Sequence, residues 1–148
     1  MKKIIILLSI LIMLSGCGKK KVENTDALRF KKEYSMIDIY KENPYVYSNK
    51  EEVLKLLNKT GVIYIGSSDN KESIELLKKL NEAVDNTGIS KVYYLNKDYE
   101  EVLKKINKTD IPVVIFVKDG KIIKSDNTTK SYELTIHEVL DDLCDIEC

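Results

Sequence analysis

Three cysteines, one histidine and a cluster of serines are the residues of this 148-residue chain whose types could carry chemistry. Cys144 and Cys148 close the chain in LCDIEC, and Cys17 follows an apolar leader. His137 is the sole histidine, and Ser67, Ser68, Asp69 and Ser73 lie together in GVIYIGSSDNKES, residues 61–73. A serine nucleophile needs a base within hydrogen-bond reach. His137 falls in a separate C-terminal helical pattern, so Ser67, Ser68 and Asp69 read as turn and cap residues. Four readings of Cys144 and Cys148 stand open: a structural disulfide, a redox-active C-x-x-x-C, a metal site shared with His137, and an intermolecular disulfide. Outside the cytoplasm a cysteine pair is expected to be oxidised. A spacing of four suits a disulfide poorly in regular helix, although a frayed last turn could close it. A structural zinc site needs a fourth ligand, so no metal and no cofactor are expected.

The amino terminus decides the compartment. Met1-Lys2-Lys3 precedes the apolar run Ile4–Leu14, then Ser15-Gly16-Cys17. A basic start, a short apolar core and small residues before a cut site form a secretory signal. The run is short of the roughly 20 residues a membrane-spanning helix needs. LSGC resembles the bacterial lipoprotein box, which implies that Cys17 is acylated and becomes the first residue of the mature protein. Several acyl chains exceed the roughly two signals needed for stable anchoring, so Cys17 is a tether to membrane lipid on the extracytoplasmic face. The leader is then 1–16, the lipidated tether 17–32 and the folded domain 33–148.

Composition excludes several partners. The leader carries two lysines and no acid, so the mature part holds 22 basic and 24 acidic side chains, a formal −2. No basic stripe interleaved with aromatics is present, which argues against nucleic acid. Lys19-Lys20-Lys21 could touch anionic headgroups, at about 1 kcal/mol each, but reads more plainly as solvated spacer.

The remaining pattern is that of an α/β domain. EYSMIDIY alternates loosely and is expected to be an edge strand, beginning near Glu33. Ser48 to Glu51 reads as a capping box before a helix with Val53, Leu54, Leu56 and Leu57 on its apolar face. Val62–Ile65 is a continuous apolar run, the mark of a strand buried on both faces. Asp69 to Glu72 repeats the capping pattern before a helix carrying Ile74, Leu77, Leu80 and Val84, which Asn86-Thr87-Gly88 stops. A strand at 91–96, a short helix at 98–106, an Ile-Pro strand, a hairpin at Lys118-Asp119-Gly120-Lys121 and a helix at 132–143 complete the order. Consecutive β-α-β units imply parallel pairing, and the hairpin adds an antiparallel edge.

That order, over about residues 46–143, resembles the thioredoxin-like fold: a three-layer α/β architecture with a mixed central sheet. GVIYIG running into a helix, Ile111-Pro112 heading an apolar strand, and VVIFVKDGKII carry the resemblance. YVYSNKEEVLKLL further resembles small secreted thioredoxin-like proteins of Gram-positive bacteria, among them bacteriocin transport accessory proteins. The resemblance implies a proline groove at Ile111-Pro112 and a C-x-x-C at the helix start, where the dipole favours a thiolate. Those two positions fall on or near Asn70 and Ser73. An amide cannot attack a disulfide, and a hydroxyl cannot complete a dithiol couple. The expectation is a redox-inactive domain that binds an extended protein or peptide partner by backbone contacts. The alternatives are an oxidoreductase or relay using Cys144 and Cys148, and a purely structural lipoprotein.

Overall fold

A computed structural model describes residues 25–39, 43–126 and 132–147. In chain order they form α1 (Thr25–Glu33), β1 (Tyr45–Tyr47), α2 (Lys50–Leu56), β2 (Gly61–Ile65), α3 (Lys71–Thr87), β3 (Val92–Leu95), α4 (Glu100–Lys105), β4 (Val113–Lys118), β5 (Lys121–Asp126) and α5 (Tyr132–Glu147). The strands make one sheet in the order β1-β3-β2-β4-β5. β1 and β2 both pair parallel with β3, while β4 runs antiparallel to β2 and to β5.

Each central strand is buried on both faces, which is why β2 and β4 read as unbroken apolar runs. One face carries an aromatic and aliphatic core: Phe30, Tyr34, Tyr45, Tyr64, Tyr94 and Phe116 with the inner faces of α3 and α5. The other carries an aliphatic core of Val53, Leu57, Ile63, Ile65, Val102 and Leu103 with Ile115 and Val117, under α2 and α4. The sheet between two helical layers is the expected α/β architecture.

Three details correct the sequence-based expectations. First, the tether expected over 17–32 is helix from Thr25 onward, and Phe30 is wholly buried. Phe30, Tyr34 and Ile37 recur at helical spacing and give that segment a core-facing side. Second, EYSMIDIY is not the edge strand. Tyr34 N donates to Phe30 O (2.9 Å), carrying the helical turn past Glu33, and the edge is Tyr45–Tyr47 instead. Third, both helix caps shift by one residue. Ser48 N still donates to Tyr94 O (2.8 Å) in continuation of the sheet, so the capping box forms at Asn49 and Glu52. Asn49 Oδ1 accepts from Glu52 N (2.9 Å), and Glu52 Oε2 accepts from Asn49 N (3.0 Å). For α3 the cap is Asn70, not Asp69. Gly88 ends α3 at φ 70°, a left-handed conformation that glycine adopts without a Cβ penalty.

Candidate functional site

The β2–α3 junction is built from small groups that bond one another. Gly66 follows β2 and donates its N–H to Leu95 O (3.2 Å). A Cβ there would stand 2.3 Å from the Tyr64 hydroxyl, so only glycine fits beneath that ring. Ser67 O accepts from Asn70 N (3.1 Å) and closes a turn. Within it Ser67 Oγ accepts from Asp69 N (3.3 Å). Asn70 Oδ1 then accepts from Ser73 N (2.8 Å), satisfying one of the orphan donors of the first helical turn. Ser73 is fully buried; its Oγ accepts from Ser67 N (3.2 Å) and its carbonyl accepts from the Tyr64 hydroxyl (2.9 Å). Asn70 and Ser73 are thus both spent on holding the corner together.

Pro112 lies beside this corner. β4 pairs with β2 so that Val113 faces Ile65, which brings Pro112 level with Gly66. The Ile111-Pro112 peptide is cis. Pro112 is buried, while Ile111 is half-exposed against the aliphatic core. Ser67 and Ser68 are half-exposed and Asp69 exposed, so the visible surface here is turn backbone, two serines and Ile111.

His137 is exposed on α5. One turn earlier, Glu133 accepts from Asn86 Nδ2 at the far end of α3. About 24 Å of helix separates Asn86 from Asn70, so His137 does not serve the serines. The helix backbone of α5 continues through residue 144, and Cys148 lies outside the described residues. Cys17 and Lys19–Lys21 also lie outside them.

A second polar feature sits at the neighbouring strand ends and was not anticipated from sequence. Glu33, at the end of α1, accepts from the Tyr94 hydroxyl (2.7 Å) and from that of Tyr47, with Asn96 Nδ2 at 3.4 Å. Because Tyr94 gives its proton to Glu33, Tyr34 is the donor in the 2.8 Å bond between the two tyrosines. Burial pushes the Tyr34, Tyr64 and Tyr94 phenols well above the usual tyrosine range. Burial, then the Glu33 carboxylate, does the same to Tyr47. These groups stay protonated and act as donors. The Tyr94 hydroxyl also lies 3.4 Å from Gly66 O, so this cluster and the junction share a wall.

Beyond Glu33 the surface opens into a groove of about 660 Å³ lined by Arg29, Tyr47, Ser48, Asn96, Lys97 and the first turns of α2 and α4. The Arg29 guanidinium stacks over the Tyr47 ring, 4.1 Å from its centroid. Lys50 pairs with Glu101 (3.0 Å) across the two helices, and that bond raises the lysine's pKa. The groove was legible only in part: Phe30, Tyr34 and Ile37 mark a helix, but nothing local links Glu33 to Tyr47, Tyr94 and Asn96. Among the described residues no group of three His, Cys, Asp or Glu side chains is placed to hold a metal ion, and no helix is long and apolar enough to cross a membrane.

The architecture is thioredoxin-like. The chain superimposes on thioredoxin from Trypanosoma brucei brucei with a TM-score of 0.50 over 74% of this chain and 99% of that one, at 13% identity. Thioredoxin O2 from Arabidopsis thaliana in its oxidised state gives 0.47 over 68% and 94%, at 14% identity. At the amino terminus, residues 1–17 match the prokaryotic membrane lipoprotein lipid attachment site. No curated protein matches the chain by sequence. A lipoprotein attachment site joined to a thioredoxin-like domain is therefore the class to which the chain's features point.

Proposed function

We propose that this is an extracytoplasmic lipoprotein, anchored through Cys17, whose thioredoxin-like domain holds an extended polypeptide and performs no dithiol chemistry. The observation that carries the reading is the state of the two positions where the fold would place thiols. Asn70 caps α3 through its amide oxygen, and Ser73 is buried with its hydroxyl bonded to Ser67 N. Neither can attack a disulfide, and neither is presented to solvent as a nucleophile. The surface left at the corner, Ser67–Asp69 beside Ile111, offers backbone groups and one apolar side chain. That is the chemistry an extended chain needs for strand-like docking.

The test is binding of a reduced, alkylated unfolded polypeptide to the mature protein, followed by fluorescence anisotropy. Ser68→Arg and Ile111→Lys, at half-exposed positions flanking the corner, should each weaken binding about tenfold, or about 1.4 kcal/mol. Unchanged affinity in both variants would exclude this corner as the docking surface. Disulfide exchange lost in a Cys144→Ser/Cys148→Ser variant would replace the reading with an oxidoreductase built on the C-terminal pair.

A further inference from the structure

We infer that the outer face of α1 rests on the anionic surface of the membrane to which Cys17 is attached, an inference that depends on the lipoprotein reading. α1 shows two unlike sides. Phe30, Tyr34 and Ile37 turn inward to the aromatic core. At about 3.6 residues per turn, Leu28 and Lys32 stand opposite them, with Arg29 and Lys31 on the flanks. All four are exposed, Leu28 by 49%, and Met36 in the following turn is exposed by 56%. No acidic residue lies three or four positions from Lys31 or Lys32 in the sequence. Of the acids nearby, Glu33 bonds Tyr47 and Tyr94, Asp26 falls on the inner side of the helix, and Asp38 is exposed two residues beyond Met36. An exposed leucine and methionine beside Lys31 and Lys32 is the composition of an interfacial helix face, where cationic stems run along apolar surface and the charges meet headgroups.

Chain length names the occupant. Thr25 is only eight positions after Cys17. Fully extended, that segment reaches about 26–29 Å, comparable to the diameter of a domain of this size, roughly twice a 13 Å radius of gyration or more. α1 is thus the first described element after Cys17 and is held at high effective concentration over the lipid. A membrane bearing anionic lipid complements Lys31 and Lys32 together, and their attraction falls off within a Debye length.

The chain has no tryptophan, so a single tryptophan is a clean reporter. The lipidated mature protein would carry Leu28→Trp or, as a control on α5, Leu134→Trp, a position 71% exposed. Each would be reconstituted into phosphatidylglycerol-containing vesicles with brominated lipid, and flotation would report anchoring separately. The expected result is at least threefold stronger quenching for the Leu28→Trp protein than for the Leu134→Trp protein. That quenching should fall at least by half with Lys31→Glu/Lys32→Glu, or in vesicles of phosphatidylcholine alone. Equal quenching at the two probes, or quenching unmoved by the charge reversal, overturns the inference while flotation still upholds the anchor. A protein that fails to float overturns the anchor reading and this inference with it.

Discussion

The β2–α3 corner and the β1–β3 strand ends lie side by side, joined through Tyr94, yet they spend their polar groups in opposite ways. At the corner, Asn70, Ser67 and Ser73 are consumed by bonds to backbone N–H groups of the same turn. At the strand ends, Glu33, Tyr47 and Asn96 converge from three separate segments, and Tyr47 and Asn96 line an open groove. Local bonding closes the corner on itself. Long-range bonding makes a wall that exists only when α1 is docked. The lesson is that two neighbouring parts of one sheet edge are built by opposite means, one closed on itself and one assembled from distant segments.

Substitutions can break that contrast from either side. Phe30→Ala should have the largest effect, about 3–5 kcal/mol, because Phe30 is fully buried and stacks on Tyr45 at 4.2 Å. Urea unfolding measures it, and a loss below about 1 kcal/mol would mean that α1 is not part of the core. Alkaline pH acts on the same wall. Tyr34, Tyr45, Tyr64 and Tyr94 have raised pKa values when folded. The unfolded chain therefore releases protons first, and stability that is complete below about pH 10 declines above it. Each such tyrosine contributes about 1.4 kcal/mol per pH unit. Tyr64→Phe should make the decline shallower, and a melting temperature flat from pH 9 to 11 would contradict the scheme.

Smaller effects sharpen the division. Gly66→Ala should cost about 1–3 kcal/mol, since its Cβ would collide with Tyr64; a neutral result in thermal melts would mean the ring has room to move. Tyr94→Phe leaves both Glu33 and Tyr34 short of a partner and should cost a similar amount, about 1–3 kcal/mol. Asn70→Ala removes only the cap, about 0.5–2 kcal/mol, while Asn70→Asp keeps it. Equal stabilities for those two variants would deny Asn70 its capping role.

The legible parts of the fold were those specified over short distances. Val62–Ile65 and the β4–β5 hairpin declared themselves because apolar runs and Asp119-Gly120 carry their own geometry. The caps slipped by one residue because two adjacent candidates, Ser48 and Asn49 or Asp69 and Asn70, compete. The sheet decides between the first pair by holding Ser48 N on Tyr94 O. Asn70 and Ser73 were singled out through the resemblance, as the positions on or near which a C-x-x-C would fall, but their bonds to Ser73 N and Ser67 N emerge only from the folded turn. The Glu33 cluster was not legible, since its partners stand 14 and 61 residues away. α1 was obscured because the exposed lysines and arginine around Phe30 make the segment look uniformly polar.

Whether the corner is chemically silent is the central question, and insulin reduction by the mature protein in the presence of a dithiol answers it most directly. Turnover should equal the buffer background and stay there in the Cys144→Ser/Cys148→Ser variant. Turnover above background that the variant abolishes would contradict the account and place the function in the C-terminal thiols.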